Sequence, residues 1–493
     1  MNLLKPIEIN QSLSLKDYLS IPFLTAPIQE LIEDARQKKD PLHNRTIWMI
    51  SQSDRGEGVS ELLSRKVCLF KDLGFHVRWL SISEENKDFL ALNNRLRNLI
   101  YGRNENTIQE SERILYESIN LKIAKELSLL FKQNDILIIH DTAAMATPHF
   151  ISKKYQIKFI WRCHAGTDIE NEFTRNAWEF LKPYSEHYNT TIFSAPEYIP
   201  YYFSGRAQII SPSIDPLSHK NRDLSIHKLI GILCNAGLSV AHNPIITPEF
   251  NNIALRLQKN RTYAPAKFPD EIGLLYRPII SQISRWEKMK GFLPLLEAFK
   301  ILKQEYRDKA QTERQQKRID FVRMVLAGPA PEETPDRPIS SSFLKEVEDS
   351  YLTLPEDIQR DIAIIKLPLQ SVKENALMIN ALQRCSTLVV QNSLQEAFGL
   401  TCTEAMWKST PVLVSNSCGL RQQVRDKLDG WVLNRADDPK EIAKAFYHIL
   451  DNPKERERLA LSAQKRVMEE FLIFTNLRKW LRTFSLLSSE TQT

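Results

Sequence analysis

The segment Thr387-Leu388-Val389-Val390-Gln391-Asn392-Ser393-Leu394-Gln395-Glu396-Ala397-Phe398-Gly399-Leu400-Thr401-Cys402-Thr403-Glu404-Ala405-Met406-Trp407 sets the architecture. Its first four residues form a short apolar run of the kind a sheet buries on both faces. A turn of small and polar residues follows, and then a helix start. Strand, turn and helix in that order are the repeating unit of a doubly wound parallel sheet. Outward from this segment, the second half repeats the rhythm at residues 278–283, 321–326, 362–366, 411–414 and 431–433. The first half carries its own series at 46–50, 76–80, 136–139, 158–161, 191–193 and 208–210. Two such series predict an α/β protein with two doubly wound domains. Between them, residues 211–273 are weakly patterned and rich in proline, and are read as a connection with helices that pad the domain face. The charged stretch 303–318 is read as a solvated helix face with its following loop.

Bulk properties agree with two domains. At 493 residues the chain exceeds what one hydrophobic core usually organises, and an apolar fraction of 42% fills two. Charged residues make up 26% and the net charge is +6, spread over both signs without a basic block, so nucleic acid is not an expected partner. The six cysteines, Cys68, Cys163, Cys234, Cys385, Cys402 and Cys418, lie far apart with no C-x-x-C pair, as expected of buried thiols in a reducing compartment. The N-terminus lacks the basic start and sustained apolar stretch of a signal peptide, and no window reaches the ~20 apolar residues of a membrane-spanning helix. A cytoplasmic protein without a transmembrane segment is expected. The tail, 471–487, carries Arg478, Lys479 and Arg482 among Phe, Leu and Trp. It reads as a helix packed on the protein's own body, with a helix lying on a membrane surface as the alternative.

Ligands of doubly wound sheets sit beyond the carboxyl ends of the strands, where helix N-termini present free N–H groups. In the opening segment this puts the amides of Phe398, Gly399, Leu400 and Thr401 where they hold phosphate oxygens. Glu396 precedes the helix and Glu404 lies about two turns into it, so the two carboxylates are spaced to accept from hydroxyl groups on either side of a bridging diphosphate. By spacing alone they are ordinary solvated helix charges. Upstream, a strand ends in Arg285 and Lys290 begins the next helix, presenting two cations to one phosphate cluster. A leaving diphosphate needs such charge neutralisation, although isolated Arg and Lys residues more often form surface salt bridges. In the first half, Gly56, Glu57 and Gly58 lie in a loop that follows the first strand and opens a helix, the setting of a phosphate- or sugar-facing glycine loop and equally of a tight turn. Asp141 ends the strand run Ile139-His140, and Arg162 and His164 stand in Trp161-Arg162-Cys163-His164.

Taken together, these residues resemble the retaining GT-B glycosyltransferases of group 1. Glu396-Ala397-Phe398-Gly399-Leu400-Thr401, Thr403-Glu404-Ala405-Met406-Trp407-Lys408, Thr410-Pro411-Val412 and Asp429-Gly430-Trp431-Val432 look like the family's donor-binding signature. Trp407-Lys408 is similar to the trehalose glycosyltransferring synthase and trehalose phosphorylase group. Ser284-Arg285 with Lys290-Gly291 resembles the family's Ser-Arg-x4-Lys-Gly element. His140-Asp141, Trp161 to His164, 196–200 and 212–218 resemble the same group. The loop 53–61 resembles a Gly-Gly-Gly-Val-Ala-Glu loop with Glu57 in place of the middle glycine, and Ala165 to Asp168, Ser417 to Leu420 and the extra material at 238–266 also depart from the pattern.

The resemblance implies two Rossmann-like domains facing across a cleft, with 1–215 on the acceptor side and 216–470 binding the donor. Residues 216–273 are then the connection, and 471–493 a helix packing back on the first domain. It implies catalytic roles for Arg285, Lys290, Glu396 and His164, and donor binding by Glu404, Phe398, Gly399, Leu400 and Thr401. Gly56, Glu57, Gly58, Asp141 and Arg162 become acceptor-side candidates. The implied reaction is a retaining transfer of a hexose, glucose by resemblance, from a nucleotide-sugar such as UDP- or ADP-glucose to a small sugar or polyol, glucose giving trehalose. No Asp-x-Asp occurs, so a metal-bridged diphosphate has no evident ligands; no metal and no cofactor are expected. A trehalose-type disaccharide phosphorylase and a catalytically silent nucleotide-sugar-binding protein stay open as alternatives. The nucleotide base, the acceptor and the oligomeric state, a homodimer among the options, stay open too.

Overall fold

A computed structural model describes residues 3–9, 13–52, 58–241, 248–269, 271–334 and 337–489. The chain divides into two compact units, Met1–Ser213 with Glu470–Thr493, and Ile214–Glu469.

The first unit holds a sheet of seven strands: β1 (Leu4–Pro6), β2 (Thr46–Ser51), β3 (His76–Ile82), β4 (Ile136–His140), β5 (Lys158–Arg162), β6 (Thr190–Phe193) and β7 (Ala207–Ile209). Their order is β1-β3-β2-β4-β5-β6-β7, with β1 antiparallel to β3 and the remaining pairs parallel. Ile47 to Ile50 and Ile136 to Ile139 are buried throughout, which is why these strands read as continuous apolar runs rather than alternating ones. The chain winds from β2 outward to β3 and then back to β4 on the other side. The carboxyl ends of β2 and β4 therefore flank a topological switch point, the crevice where such sheets bind ligands.

The tail helix, Ile473–Ser489, belongs to this unit. Its apolar face is covered: Phe474 meets Tyr18 edge-on at 5.1 Å, Phe484 lies 5.8 Å from Phe70, and Arg478 pairs with Asp34 at 2.7 Å. Among the described residues no helix is long and apolar enough to cross a membrane. All six cysteines are free thiols, four of them buried.

The second unit holds eight strands: β8 (Leu255–Leu257), β9 (Tyr263–Ala264), β10 (Ile279–Ile283), β11 (Arg323–Pro329), β12 (Ile362–Leu367), β13 (Leu388–Gln391), β14 (Val412–Ser415) and β15 (Trp431–Leu433). The order β15-β14-β13-β10-β11-β12-β8-β9 is parallel from β15 to β12, and β8 runs antiparallel to β12 and β9. Alternate residues feed two cores. Ile280, Met324 and Ile364 join one, and Ile279, Val325 and Ile365 the other. Winding outward from β10 leaves the switch point between β10 and β13.

The structure corrects two readings. The weakly patterned region contains a helix, Ile226–Asn235, but also β8 and β9, whose polar residues Arg256 and Tyr263 gave no apolar run. Lys303 is not on a solvated face. It is buried, with its ammonium 2.6 Å from Asp361 and donating to the carbonyls of Ile319 (2.6 Å) and Asp320 (3.1 Å), the end of the helix Glu313–Phe321. Those acceptors draw it inward despite burial that lowers its pKa to about 7.

Candidate functional site

β10 leaves the sheet at Ile283, and the chain turns through Lys288–Lys290 to Gly291, at φ +65°, before the helix Phe292–Ile301. A Cβ on Gly291 would stand 2.2 Å from the carbonyl oxygen of Asn392, so glycine is what lets the β10 and β13 loops touch. Gln282 ties them: its Oε1 accepts from the Asn392 amide at 2.8 Å and its Nε2 donates to the Lys290 carbonyl at 2.8 Å. Asn392 Nδ2 donates to the carbonyls of Gly291 (3.1 Å) and Ala436 (2.8 Å). The outcome is an ion pair across the switch point. Lys290 Nζ lies 2.5 Å from Glu396 Oε2, the two side chains 11% and 13% exposed. Ser393 Oγ donates to the same carboxylate oxygen at 3.0 Å, and Gln391 Nε2 holds Ser284 and Ser393 at 3.0 Å each.

Past Glu396 the chain reaches Gly399, at φ +86°, and enters the helix Leu400–Trp407. Among the described residues the amides of Gly399, Leu400 and Thr401 meet no acceptor, so three N–H groups stand at the positive end of the helix dipole. Gln423 fixes this loop by donating to the carbonyls of Phe398 and Gly419 and accepting from Thr403 Oγ. Phe398 is buried beneath it. Glu404 is buried in the second turn, and no donor among the described residues reaches its carboxylate. Lys408 donates to the Glu404 carbonyl at 3.0 Å and to Gln383 Oε1 at 2.8 Å. Burial lowers its pKa to about 7 against the pull of Glu404. Arg285 shares the β10 loop but is 63% exposed and pairs with Glu287 at 3.0 Å, not with Glu396.

At the first unit's switch point, Asp141 adopts φ +57°, which a short polar side chain tolerates. It knots the ends of β4 and β5. Its Oδ1 accepts from the His164 amide at 2.8 Å, its carbonyl from the Trp161 indole at 2.7 Å, and its own amide donates to the Arg162 carbonyl at 2.9 Å. His140 Nδ1 and His164 Nε2 are 3.0 Å apart with their rings stacked. Arg162 Nη2 donates to Ser194 Oγ at 3.1 Å, while its Nη1 and His140 Nε2 are buried and meet no partner among the described residues. Lys66, buried on the helix Gly58–Asp72, has its ammonium 5.6 Å from the Trp480 ring centre. Burial, then Arg162, brings Lys66 to about 7. Burial first, and the same two cations next, hold His140 well below its ordinary value; at His164 burial leads and Arg162 follows. Both rings are thus neutral at neutral pH.

Lys66 has no place in the sequence reading, and His140 enters it only within the pair His140-Asp141, without a role of its own. Lys66 occupies the apolar stripe Leu63, Lys66, Val67, Phe70, and a lysine at such a position was the available signal. His140 was masked by the carboxylate beside it. Gly56 and Glu57 lie outside the described residues, and Gly58 opens its helix.

Residues 49–200 match the family described as trehalose synthase, N-terminal domain, and residues 368–466 match glycosyl transferases group 1. The chain is 27% identical over 469 residues to a trehalose synthase of Pyrococcus horikoshii, covering 95% of each chain. It is 27% identical over 463 residues to one of Rubrobacter xylanophilus, covering 93% of this chain and 94% of that protein. Among solved structures, an α,α-trehalose 6-phosphate synthase from Burkholderia multivorans superposes with a TM-score of 0.62 at 14% identity, covering 91% of this chain and 98% of that one.

Proposed function

We propose that this chain, a glycosyltransferase of the two-domain, Rossmann-like GT-B architecture that resembles the trehalose synthases, moves a hexosyl group from a nucleotide-sugar to a small hydroxyl acceptor with retention of configuration. Glucose is the sugar moved, and trehalose the product when glucose accepts. The observation that carries this reading is the Lys290–Glu396 pair beside the three unbonded amides of Gly399, Leu400 and Thr401 at the β10–β13 switch point.

In this reading the diphosphate rests on those amides, with Lys290 and Arg285 countering its charge. Glu396 accepts from sugar hydroxyls and Glu404 from the ribose, a role suited to a buried carboxylate that has no donor among the described residues. As the bond from the anomeric carbon to the phosphate oxygen breaks, the acceptor oxygen attacks that carbon from the same face. The acceptor's proton passes to the departing phosphate oxygen. Positive charge comes from side chains and helix amides, so no divalent cation takes part, and rate arises from orientation and charge stabilisation. The neutral imidazole of His164 serves sugar hydroxyls, and Asp141 and Arg162 shape the acceptor side.

A phosphorylase acting on trehalose is the second reading, because a lysine beside free helix amides suits inorganic phosphate equally well. Incubation with UDP-, ADP- or GDP-glucose plus glucose, and separately with trehalose plus phosphate, distinguishes them by NMR of the products. We expect an α-linked disaccharide and nucleoside diphosphate in the first mixture. Glucose 1-phosphate from the second mixture alone makes the protein a phosphorylase. Calorimetric binding of a nucleotide-glucose with neither transfer nor hydrolysis makes it a silent binder.

A further inference from the structure

The amino-terminal edge of the second unit's sheet, opposite the β10–β13 switch point, carries a second cationic groove. The helix Glu313–Phe321 places Arg314, Lys317, Arg318 and Phe321 at i, i+3, i+4 and i+7, one face bearing three cations and a ring. It runs into β11, while Tyr276 and Arg277 run into β10. Between the two segments lies a cavity of about 680 Å³. An adjoining cavity of about 450 Å³ shares Tyr276, Arg277 and Arg318 and adds Arg384 and Arg456.

The acids here do not balance the bases. Lys317 has Glu313 at 2.5 Å, a solvated pair worth little, and Arg318 has Asp451 at 2.7 Å. Arg384 has Asp223 at 3.0 Å, and Arg456 donates to the carbonyls of Ile449 and Leu450. Among the described residues no carboxylate pairs with Arg277 or Arg314. Arg277 is half-buried, its Nε has no hydrogen-bond partner among the described residues, and its guanidinium is held 4.7 Å from the Phe321 ring and 5.9 Å from Tyr276. Its charge also presses on Lys303 and Arg323, adding to the burial that lowers both. A fold that gathers like charges without matching acids is poised for an anion.

We propose that this groove binds a nucleotide-class anion. The guanidinium forks of Arg277 and Arg314, with Lys317, match phosphate oxygens. Tyr276 and Phe321, 56% and 46% exposed, offer ring faces to a planar base. The volume suits a ligand of that size. The site is separate from the proposed donor site, which lies at the carboxyl ends of the strands, and does not depend on the donor assignment.

The test is calorimetry of ATP with the full chain carrying Lys290→Ala and Glu404→Ala, which disables the proposed donor site. ATP binds that variant, and adding Arg314→Glu weakens binding roughly tenfold, as does Arg277→Ala. Arg314 is exposed, so its variant keeps the test valid when Arg277→Ala fails to fold. Tripolyphosphate competes less tightly than ATP. Absence of ATP binding in the donor-site variant, or unchanged affinity with Arg314→Glu, overturns the site; tripolyphosphate binding as tightly as ATP overturns the nucleotide assignment.

Discussion

His140 and His164 share a contact of 3.0 Å in the company of Lys66 and Arg162, and protonating a buried ring in that setting costs free energy. The unfolded chain has no such penalty and protonates near pH 6.5. Stability from this source is therefore complete above about pH 6.5 and is lost as pH falls below it, by about 1.4 kcal/mol per pH unit for a fully buried histidine until the folded value is reached. His140→Gln is expected to flatten the acid limb below about pH 6.5, read from urea unfolding at several pH values. An unchanged slope contradicts the assignment. At this scale the sequence was half legible. Glu396 and Lys290 stood out because the residues around them resemble the group 1 signature, whereas Gln282 and Asn392, which join the loops, are ordinary amides that lie 110 positions apart.

The β10 loop depends on Gly291 more than on any side chain it carries. Gly291→Ala combines a left-handed backbone, costing about 1–2 kcal/mol, with a Cβ 2.2 Å from the Asn392 carbonyl. The β10 and β13 loops then separate, and Lys290 with them. A fall in Tm of at least about 4 °C is expected together with lost turnover; a variant with wild-type Tm and turnover shows the contact to be dispensable. Elements were legible where burial is two-sided, as in β4, where Ile136 to Ile139 leave no alternation to misread. They were not legible where a strand is short and antiparallel at a sheet edge. Leu4–Pro6 and Leu255–Leu257 are held by register with a strand distant in sequence, Tyr263–Ala264 is held only by its hairpin partner Leu255–Leu257, and the residues of all three carry no strand pattern. Lys303 misled for a related reason, since Asp361 and the carbonyls of Ile319 and Asp320 are distant features that no local pattern announces.

Over the whole molecule, each unit has one topological switch point, and each of these gathers polar residues at the carboxyl ends of apolar strands. In the first unit these are His140, Asp141, Arg162 and His164; in the second, Lys290, Glu396 and the helix amides after Gly399. The chain leaves the first unit after Ser213 and returns to it at Glu470, so the tail helix completes a core begun hundreds of residues earlier. That both sheets would wind this way followed from the two series of apolar runs, whereas the short strands at their edges did not. The central claim, that Lys290 counters charge on a departing diphosphate, is tested most directly by the turnover of Lys290→Ala with nucleotide-glucose and glucose. Ser393 and Gln391 still reach Glu396 in that variant, so the fold is expected to persist. The account predicts a kcat lower by about 10²–10³ with a near-normal Tm. A folded Lys290→Ala protein that turns over at close to the wild-type rate would contradict it.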